Sequence, residues 1–578
     1  MRYVIVFLLI GVCSGQNIAA CDSQIYCDGP LLDAIQMARL FPDGKTFVDM
    51  SLKQSPDTVL GAFNNLTNHS KATLEYFVSQ YFSGPGEELE IWEPTDFVKL
   101  PSFLNNIKDP VYKDFGWDLC RIWKDLGRKV KDDVKLHADM HSMVYLPKPF
   151  IVPGGRFRET FYWDSYWVIK GLLVCEMNST VKGMLENFLY YVQKFGFIPN
   201  GGRVYFTRRS QPPFLIQMMY DYYEATNDFD FIKQHIATME SEYEFWQSNR
   251  SVSIEKSGKV YHLNQYSSNV VKPRPESYYE DVVTTQNRTS ADRKTMYSNL
   301  ASACESGWDF SSRWFSREEG ATLTLNTIST MNIIPVDLNS ILCQNERILI
   351  QFYQRIGNLT KVSYYQQRLA NRLEAIDSIL YNEKAGIWLD YSLKTNMSRD
   401  FFYMSNIFPV FMNCANLTGE RSEKLLAYIQ KHKLDSYKGG IPTSLDNTGQ
   451  QWDFPNGWSP LEHVMIWALD SIPQTQHVAR ALATAWLESN YLGWQRTRSM
   501  FEKYNVSEPG TRGGGGEYGI QEGFGWTNGV VLDILKKYGR KITSSSYVPK
   551  TNCVNGSFTP KAKYLFLFIC VVYLYILN

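Results

Sequence analysis

The sequence predicts a mostly helical fold, and three observations carry this. Apolar residues recur at helical spacing in several long segments, clear period-2 strands are scarce, and the segments are joined by long connections rich in Gly, Pro, Trp and Asp. Leu215 to Trp246 keeps the helical period with a break near Asn227-Asp228. Val362 to Tyr381, Leu461 to Leu469 and Val478 to Leu487 repeat it. Connections this long in a compact protein tend to be functional. A helical barrel and an α-solenoid both satisfy the pattern, which does not choose between them.

The 578 residues carry 59 basic and 59 acidic side chains. Zero net charge argues against nucleic acid or an anionic membrane surface as partner and suits a neutral ligand. The length permits two or more domains, although a helical barrel can run this long as one. Aromatic residues make up 15%. They imply either a large aromatic core or a sugar-binding cleft, since the C–H face of a pyranose stacks on aromatic rings.

Arg2, the apolar stretch Tyr3 to Val12 and the small residues Cys13-Ser14-Gly15 read as a signal peptide spanning 1–15 and cleaved after Gly15. The compartment is then oxidising. Of ten cysteines, Cys13 leaves with the signal and Cys570 lies in a terminal apolar tail. Cys21 and Cys27 are close enough to close a small loop, but pairing cannot be deduced from spacing. No CxxC or HExxH occurs, so a metal site has no sequence support. Ten Asn-x-Ser/Thr sequons, from Asn65 to Asn555, favour a glycosylated surface. Residues 546–563 read as a linker. Within it, Asn555-Gly556-Ser557 and a polar spacer precede the apolar tail 564–578, the pattern of a GPI-anchor signal. A short transmembrane segment is the second reading of that tail, and a soluble protein with a hydrophobic tail the third.

Four connections concentrate unusual residues. They are PGGRFRETFYWDSYW at 153–167, ESGWDFSSRW at 305–314, QWDFPNGWSP at 451–460, and 500–528 with MFEKYN and GGGGEYGIQEGFGWTN. Glycines let backbone approach a ligand, and Arg and Asp hydrogen-bond hydroxyls. Each alone has a plainer reading. A Trp-Asp pair is usually a packed aromatic beside a cap, and Glu502-Lys503 reads as a solvated helix face.

Together these segments resemble, in sequence and in order, the signature motifs of the trehalases, glycoside hydrolase family thirty-seven. The likeness runs from about Cys27 to about Tyr538 and points to the animal secreted or membrane-bound branch. It implies an (α/α)6 barrel over 16–545, with active-site loops at one end, and inverting hydrolysis of α,α-trehalose by water without a cofactor. The rival readings are another (α/α)6 glucosidase and a non-catalytic sugar-binding protein.

Inversion requires a protonated acid beside the bridging oxygen and an ionised base activating water, with the two carboxyls roughly 6.5–9.5 Å apart. By the resemblance Asp309 is the acid and Glu502 the base. The flanking Trp308 and Phe310 would raise the pKa of Asp309. Lys503 would hold Glu502 ionised only where their side chains meet, which sequence neighbours on a helix do not do. The resemblance also implies substrate-binding roles for Arg156, Trp163, Asp164, Asn200, Arg209, Ser210, Gln211, Arg274, Pro275, Glu276, Gly307 and Glu517. Glu517 is the main rival base, and Asp164 and Asp453 are lesser alternatives for either role. The sequon at Asn505 is at odds with a pocket-lining position so close to Glu502.

Overall fold

A computed structural model describes residues 21–318 and 322–545. The expected signal peptide, linker, apolar tail, Cys553, Cys570 and Asn555 lie outside these residues. Twelve helices make the frame: α1 Pro110–Ile122, α2 Asp164–Val174, α3 Asn178–Phe195, α4 Leu215–Thr226, α5 Phe229–Asn249, α6 Val336–Ile356, α7 Leu359–Ala375, α8 Phe408–Phe411, α9 Gly419–Lys431, α10 Ser459–Asp470, α11 Gln476–Thr497 and α12 Gly525–Tyr538. The even-numbered helices touch in chain order, and α12 closes on α2. The odd-numbered helices pack outside this ring. The fold is therefore an (α/α)6 barrel, and ring closure excludes the solenoid.

Composition sorts the two rings. Inner α10 buries nearly every residue from Ser459 to Leu469, as expected of a helix that is apolar all round. Outer α7 buries only Val362, Tyr365, Arg372 and Ala375 and shows solvent its other faces. The break near Asn227-Asp228 is real. Asn227 ends α4 in the left-handed region, and the Asp228 carboxylate caps α5 by accepting from Phe231 N–H. Closure depends on two glycines. A β-carbon on Gly529 of α12 would lie 2.0 Å from the Trp167 carbonyl of α2, and one on Gly171 would lie 2.5 Å from Cα of Gly529.

A hairpin that the sequence pattern does not announce pairs Ser251–Lys256 with Lys259–Asn264. Its turn, Ser257-Gly258, has positive φ at both residues, as a two-residue hairpin turn of matching twist requires. Disulfides join Cys21 to Cys27, Cys120 to Cys175 and Cys343 to Cys414. Among the described residues Cys304 alone is free.

Three of the four unusual connections, and the segment Asn200 to Gln211, lead directly into inner helices. The 153–167 segment enters α2, the Asn200 to Gln211 segment enters α4, 451–460 enters α10 and 500–528 enters α12. All therefore meet at the N-terminal end of the inner ring, where helix dipoles favour negative charge. A second apolar cluster, built from Cys21 to Phe82 with Phe161, Phe206 and Tyr278, packs the N-terminal segment beside this end.

Candidate active site

A cavity opens there, with about 80 Å³ of room for the centres of water-sized groups. It is lined by Asp309, Glu502, Arg156, Trp163, Asp164, Asn200, Arg209, Gln211, Arg274, Glu276, Gly307 and Glu517. Ser210 and Pro275, given binding roles by the resemblance, do not line it. Ser210 is fully buried, and its hydroxyl donates to the Ile198 carbonyl at 2.7 Å. The Pro275 carbonyl accepts from Gln36 Nε2 at 2.8 Å. Both shape the loops that carry their neighbours.

Asp309 follows the helix Ser290–Glu305. Gly307, with φ of 80°, turns the chain off that helix. Asp453, weighed as an alternative acid or base, proves to be the anchor of this loop. It is buried and accepts from Ser311 Oγ (2.8 Å), Ser312 N–H (2.8 Å), Ser312 Oγ (2.9 Å) and Ser444 Oγ (2.7 Å). A carboxylate so fully occupied is not free for proton transfer. Among the described residues the Asp309 carboxyl accepts from its own backbone N–H and from no side chain, and it keeps part of its surface open to the cavity. Burial pushes its pKa up to about 7, the Glu517 charge adds to the rise, and Arg274 and Arg209 hold it back. It therefore keeps its proton up to about pH 7, far above the ordinary carboxylate range.

Glu502 is not on a solvated helix face. It lies in a bend just before the short strand Tyr504–Asn505, 1% exposed, beside Lys503 at 0%. Tyr518 donates its hydroxyl to Oε1 at 2.8 Å, and the Gln521 N–H reaches Oε2 at 3.5 Å. Lys503 Nζ stands 4.0 Å from Oε2, so the two side chains do meet. Burial raises the Glu502 pKa, while Lys503, Tyr518, Gln521 and Arg156 oppose the rise. The two carboxyls thus differ in setting: Glu502 accepts from Tyr518 and the Gln521 N–H and has Lys503 at 4.0 Å, whereas Arg274 and Arg209 act on Asp309 through their charge alone.

The rival base is differently placed. Glu517 accepts from Arg274 Nη2 at 2.9 Å and from Ser277 Oγ at 2.9 Å, which fixes it as an ion-pair partner. Asp164 sits at the head of α2, 6% exposed, with its pKa well raised by burial and by the Glu502 and Asp309 charges. It serves better as a neutral donor to a hydroxyl than as a base. Arg209 donates to Glu276 at 2.6 Å, and Arg274 forks onto Asp281 at 2.6 and 3.0 Å. Burial disfavours the Glu276 charge, but Arg209 and Arg274 outweigh it and hold this carboxyl below its usual range. Among the described residues the buried Nε atoms of Arg156 and Arg209 and Oε2 of Glu276 have no hydrogen-bond partner. Polar groups of this kind are the ones a hydroxylated ligand satisfies.

Aromatic walls complete the cavity. Trp452 stacks on Trp458 at 3.8 Å, with Trp163 and Trp526 against them. Of the aromatic residues here, sequence reasoning singles out Trp163 and misses Trp452, Trp458, Tyr518 and Trp526, although all stand inside the quoted motifs. Lys45, from the N-terminal segment, also lines the cavity and gives no local signal. Asn505 does not line it. Asn505 pairs with Asn456 in a short ladder.

The trehalase family model matches residues 39–539. Trehalase from Apis mellifera is 46% identical over 91% of this chain and 85% of its own length. Trehalase from Homo sapiens is 44% identical over 96% and 97%. Among solved structures, neutral trehalase Nth1 from Saccharomyces cerevisiae shares the fold with a TM-score of 0.55 at 22% identity, covering 68% of this chain and 74% of its own.

Proposed function

Because this chain belongs to the trehalase family, we propose that its cavity works with Asp309 as general acid and Glu502 as general base, with inversion at the attacked carbon. The overall reaction follows from the family: the enzyme is a glycoside hydrolase that cleaves α,α-trehalose into two glucose molecules. The family sets aside the non-catalytic sugar-binding reading and the other-glucosidase reading.

In the proposed step the Asp309 proton moves to the bridging oxygen as the bond from that oxygen to the anomeric carbon breaks. Water bonds to that carbon from the opposite face and gives its proton to Glu502. The observation that carries the assignment is the contrast between the two buried carboxyls. Asp309 is pushed up to about 7 with no side-chain donor, whereas Glu502 has Tyr518, Gln521 and Lys503 around it. Arg156, Arg209, Glu276, Gln211, Asn200 and Asp164 bind glucosyl hydroxyls, and the tryptophans bind ring faces. Proton NMR of early product tests the outcome. Inversion gives equal α- and β-glucose, since the leaving sugar keeps its α configuration. Only α-glucose before mutarotation rejects inversion.

The disulfides agree with an oxidising compartment. Among the described residues no helix is long and apolar enough to cross a membrane. For the remaining segments the proposal is a cleaved signal at 1–15, a catalytic domain at 16–545, a linker at 546–563 and a GPI-anchor signal at 564–578. Phosphatidylinositol-specific phospholipase C should release active enzyme from expressing cells. Enzyme that stays on the membrane and keeps residues 564–577 by mass spectrometry favours the spanning segment instead.

A further inference from the structure

Lys503 is fully buried, next to the proposed base, and does not line the cavity. A buried ammonium is costly unless paired and hydrogen-bonded, so its partners indicate its use. Its Nζ donates to Gln451 Oε1 at 2.7 Å and to the Gly515 carbonyl at 3.4 Å, and stands 4.0 Å from Glu502 Oε2. The Trp458 ring lies 5.0 Å away on one side and Tyr518 5.6 Å away on another. The amide of Gln451 in turn donates from Nε2 to the backbone carbonyl of Asp309. One cation therefore touches the base, the glycine-rich loop that carries Glu517 and Tyr518, and the amide that holds the acid's backbone.

We propose that Lys503 is a positioning residue for trehalose hydrolysis: it keeps the Glu502 carboxylate ionised and oriented, and through Gln451 fixes the acid's loop relative to the base. The proposal rests on Glu502 being the base. Lys503 reaches no substrate and transfers no proton. An apolar side chain would fill the same space without supplying charge.

The charged and titratable groups around Glu502 come from every neighbouring segment. Lys503 stands on its own segment, Tyr518 on the glycine-rich loop, Arg156 on the loop before α2, and Asp164 at the head of α2. Asp309 shares the field of Lys503. Of these, Lys503 and Arg156 are the cations; burial lowers the Lys503 pKa, and the Glu502 and Asp309 charges oppose that fall. Arg156 is divided between Glu502, Asp43 at 3.5 Å and the Tyr518 ring. Removing Lys503 leaves Glu502 without its adjacent cation, so a higher pH is needed to ionise it.

The test is the pH profile of kcat/KM for Lys503→Met and Lys503→Arg with trehalose. In Lys503→Met the acidic limb should move up by roughly one to three pH units, the range expected for loss of an opposite charge at this distance. At pH 5 this appears as at least a tenfold loss, carried by kcat with little change in KM. Lys503→Arg keeps the charge and should keep the limb near its wild-type position. If Lys503→Met fails to fold, Lys503→Gln takes its place and should show the same shift. A uniform loss at all pH with an unmoved limb, or a near-normal profile, overturns the proposal. Glu502→Gln separates the two levels. If it stays active, the base assignment fails. If it is dead while the Lys503→Met limb is unmoved, only the role of Lys503 fails.

Discussion

Gly307 lies against the indole of Trp163, so close that a β-carbon on it would sit 2.5 Å from Cζ2 and 2.6 Å from Cε2 of that ring. Its φ of 80° belongs to the left-handed region that side chains rarely adopt. The chain must turn here to leave the helix Ser290–Glu305 and present Asp309 two residues later. Gly307→Ala is therefore expected to lose about 1–3 kcal/mol of stability through backbone strain, and kcat/KM by at least about tenfold as Asp309 shifts. Thermal melts and steady-state kinetics with trehalose check both. Trp163→Phe in the same chain should restore part of the lost stability, because neighbours that clash are not additive. A Gly307→Ala protein that melts and turns over like the parent would disprove the close approach.

Asp309→Asn and Glu502→Gln should each lower kcat by at least about a hundredfold, the usual contribution of a general acid or base. Both replacements are nearly isosteric, so folding should change little. Glu517→Gln should behave differently. Its carboxylate is held by Arg274 and Ser277, so its loss should mainly raise KM. If Glu517→Gln is dead and Glu502→Gln turns over, the base is Glu517.

The three cavity arginines should separate by what each leaves behind. Arg274→Ala strands buried Asp281 and half-buried Glu517 and should destabilise most, by about 3–5 kcal/mol, as when one partner of a buried ion pair is removed. Arg209→Ala strands Glu276 and should cost less. Arg156 is only loosely paired, 3.5 Å from Asp43, so Arg156→Ala should fold well and fail chiefly in kcat/KM. Lysine at any of the three should rescue poorly, because an ammonium lacks the planar fork. Chemical melts combined with kcat/KM give the ranking, and equal destabilisation by all three would contradict it.

What can be read from the sequence is whatever the chain keeps together. Helical periods are local, so α4, α5, α7, α10 and α11 are visible, and so is the αL break at Asn227. Contiguous motifs bring most cavity residues to notice. Closure is invisible because it rests on Gly171 meeting Gly529 across the whole ring. Asp453 looks like a catalytic candidate because its partners Ser311 and Ser312 lie 142 and 141 residues away in sequence. Glu502-Lys503 looks like solvated surface because nothing local shows that Tyr518 and Gln451 enclose it. Lys45 arrives from a separate apolar cluster, and only the packed N-terminal segment brings it to the cavity.

The environment of Asp309 makes a stability claim as well as a catalytic one. Its carboxyl ionises near 3.8 in an unfolded chain and about 7 in the fold. Between those values the native protein holds a proton that the unfolded chain has released, so stability falls as pH rises through that window. A tenfold difference in proton affinity between the two states corresponds to about 1.4 kcal/mol. Because Asp309 keeps an opening to the cavity, the realised loss should be smaller than the whole difference implies, about 1–3 kcal/mol at pH 8. Asp309→Asn cannot ionise and escapes this loss. It should melt close to the parent at pH 4, and at pH 8 melt about 1–3 °C higher while being nearly inactive, a trade of stability for function at one atom group. The same protonation sets activity. As the proposed general acid, Asp309 must carry its proton, so the parent's kcat/KM should decline on its basic limb near pH 7. Differential scanning calorimetry of both proteins at pH 4, 6 and 8, beside the pH–rate profile, measures the two effects independently. A melting difference that does not grow with pH would mean that Asp309 is ionised in the folded enzyme at neutral pH, and the acid would then have to be sought in Asp164, the other carboxyl whose pKa burial raises at this end of the barrel.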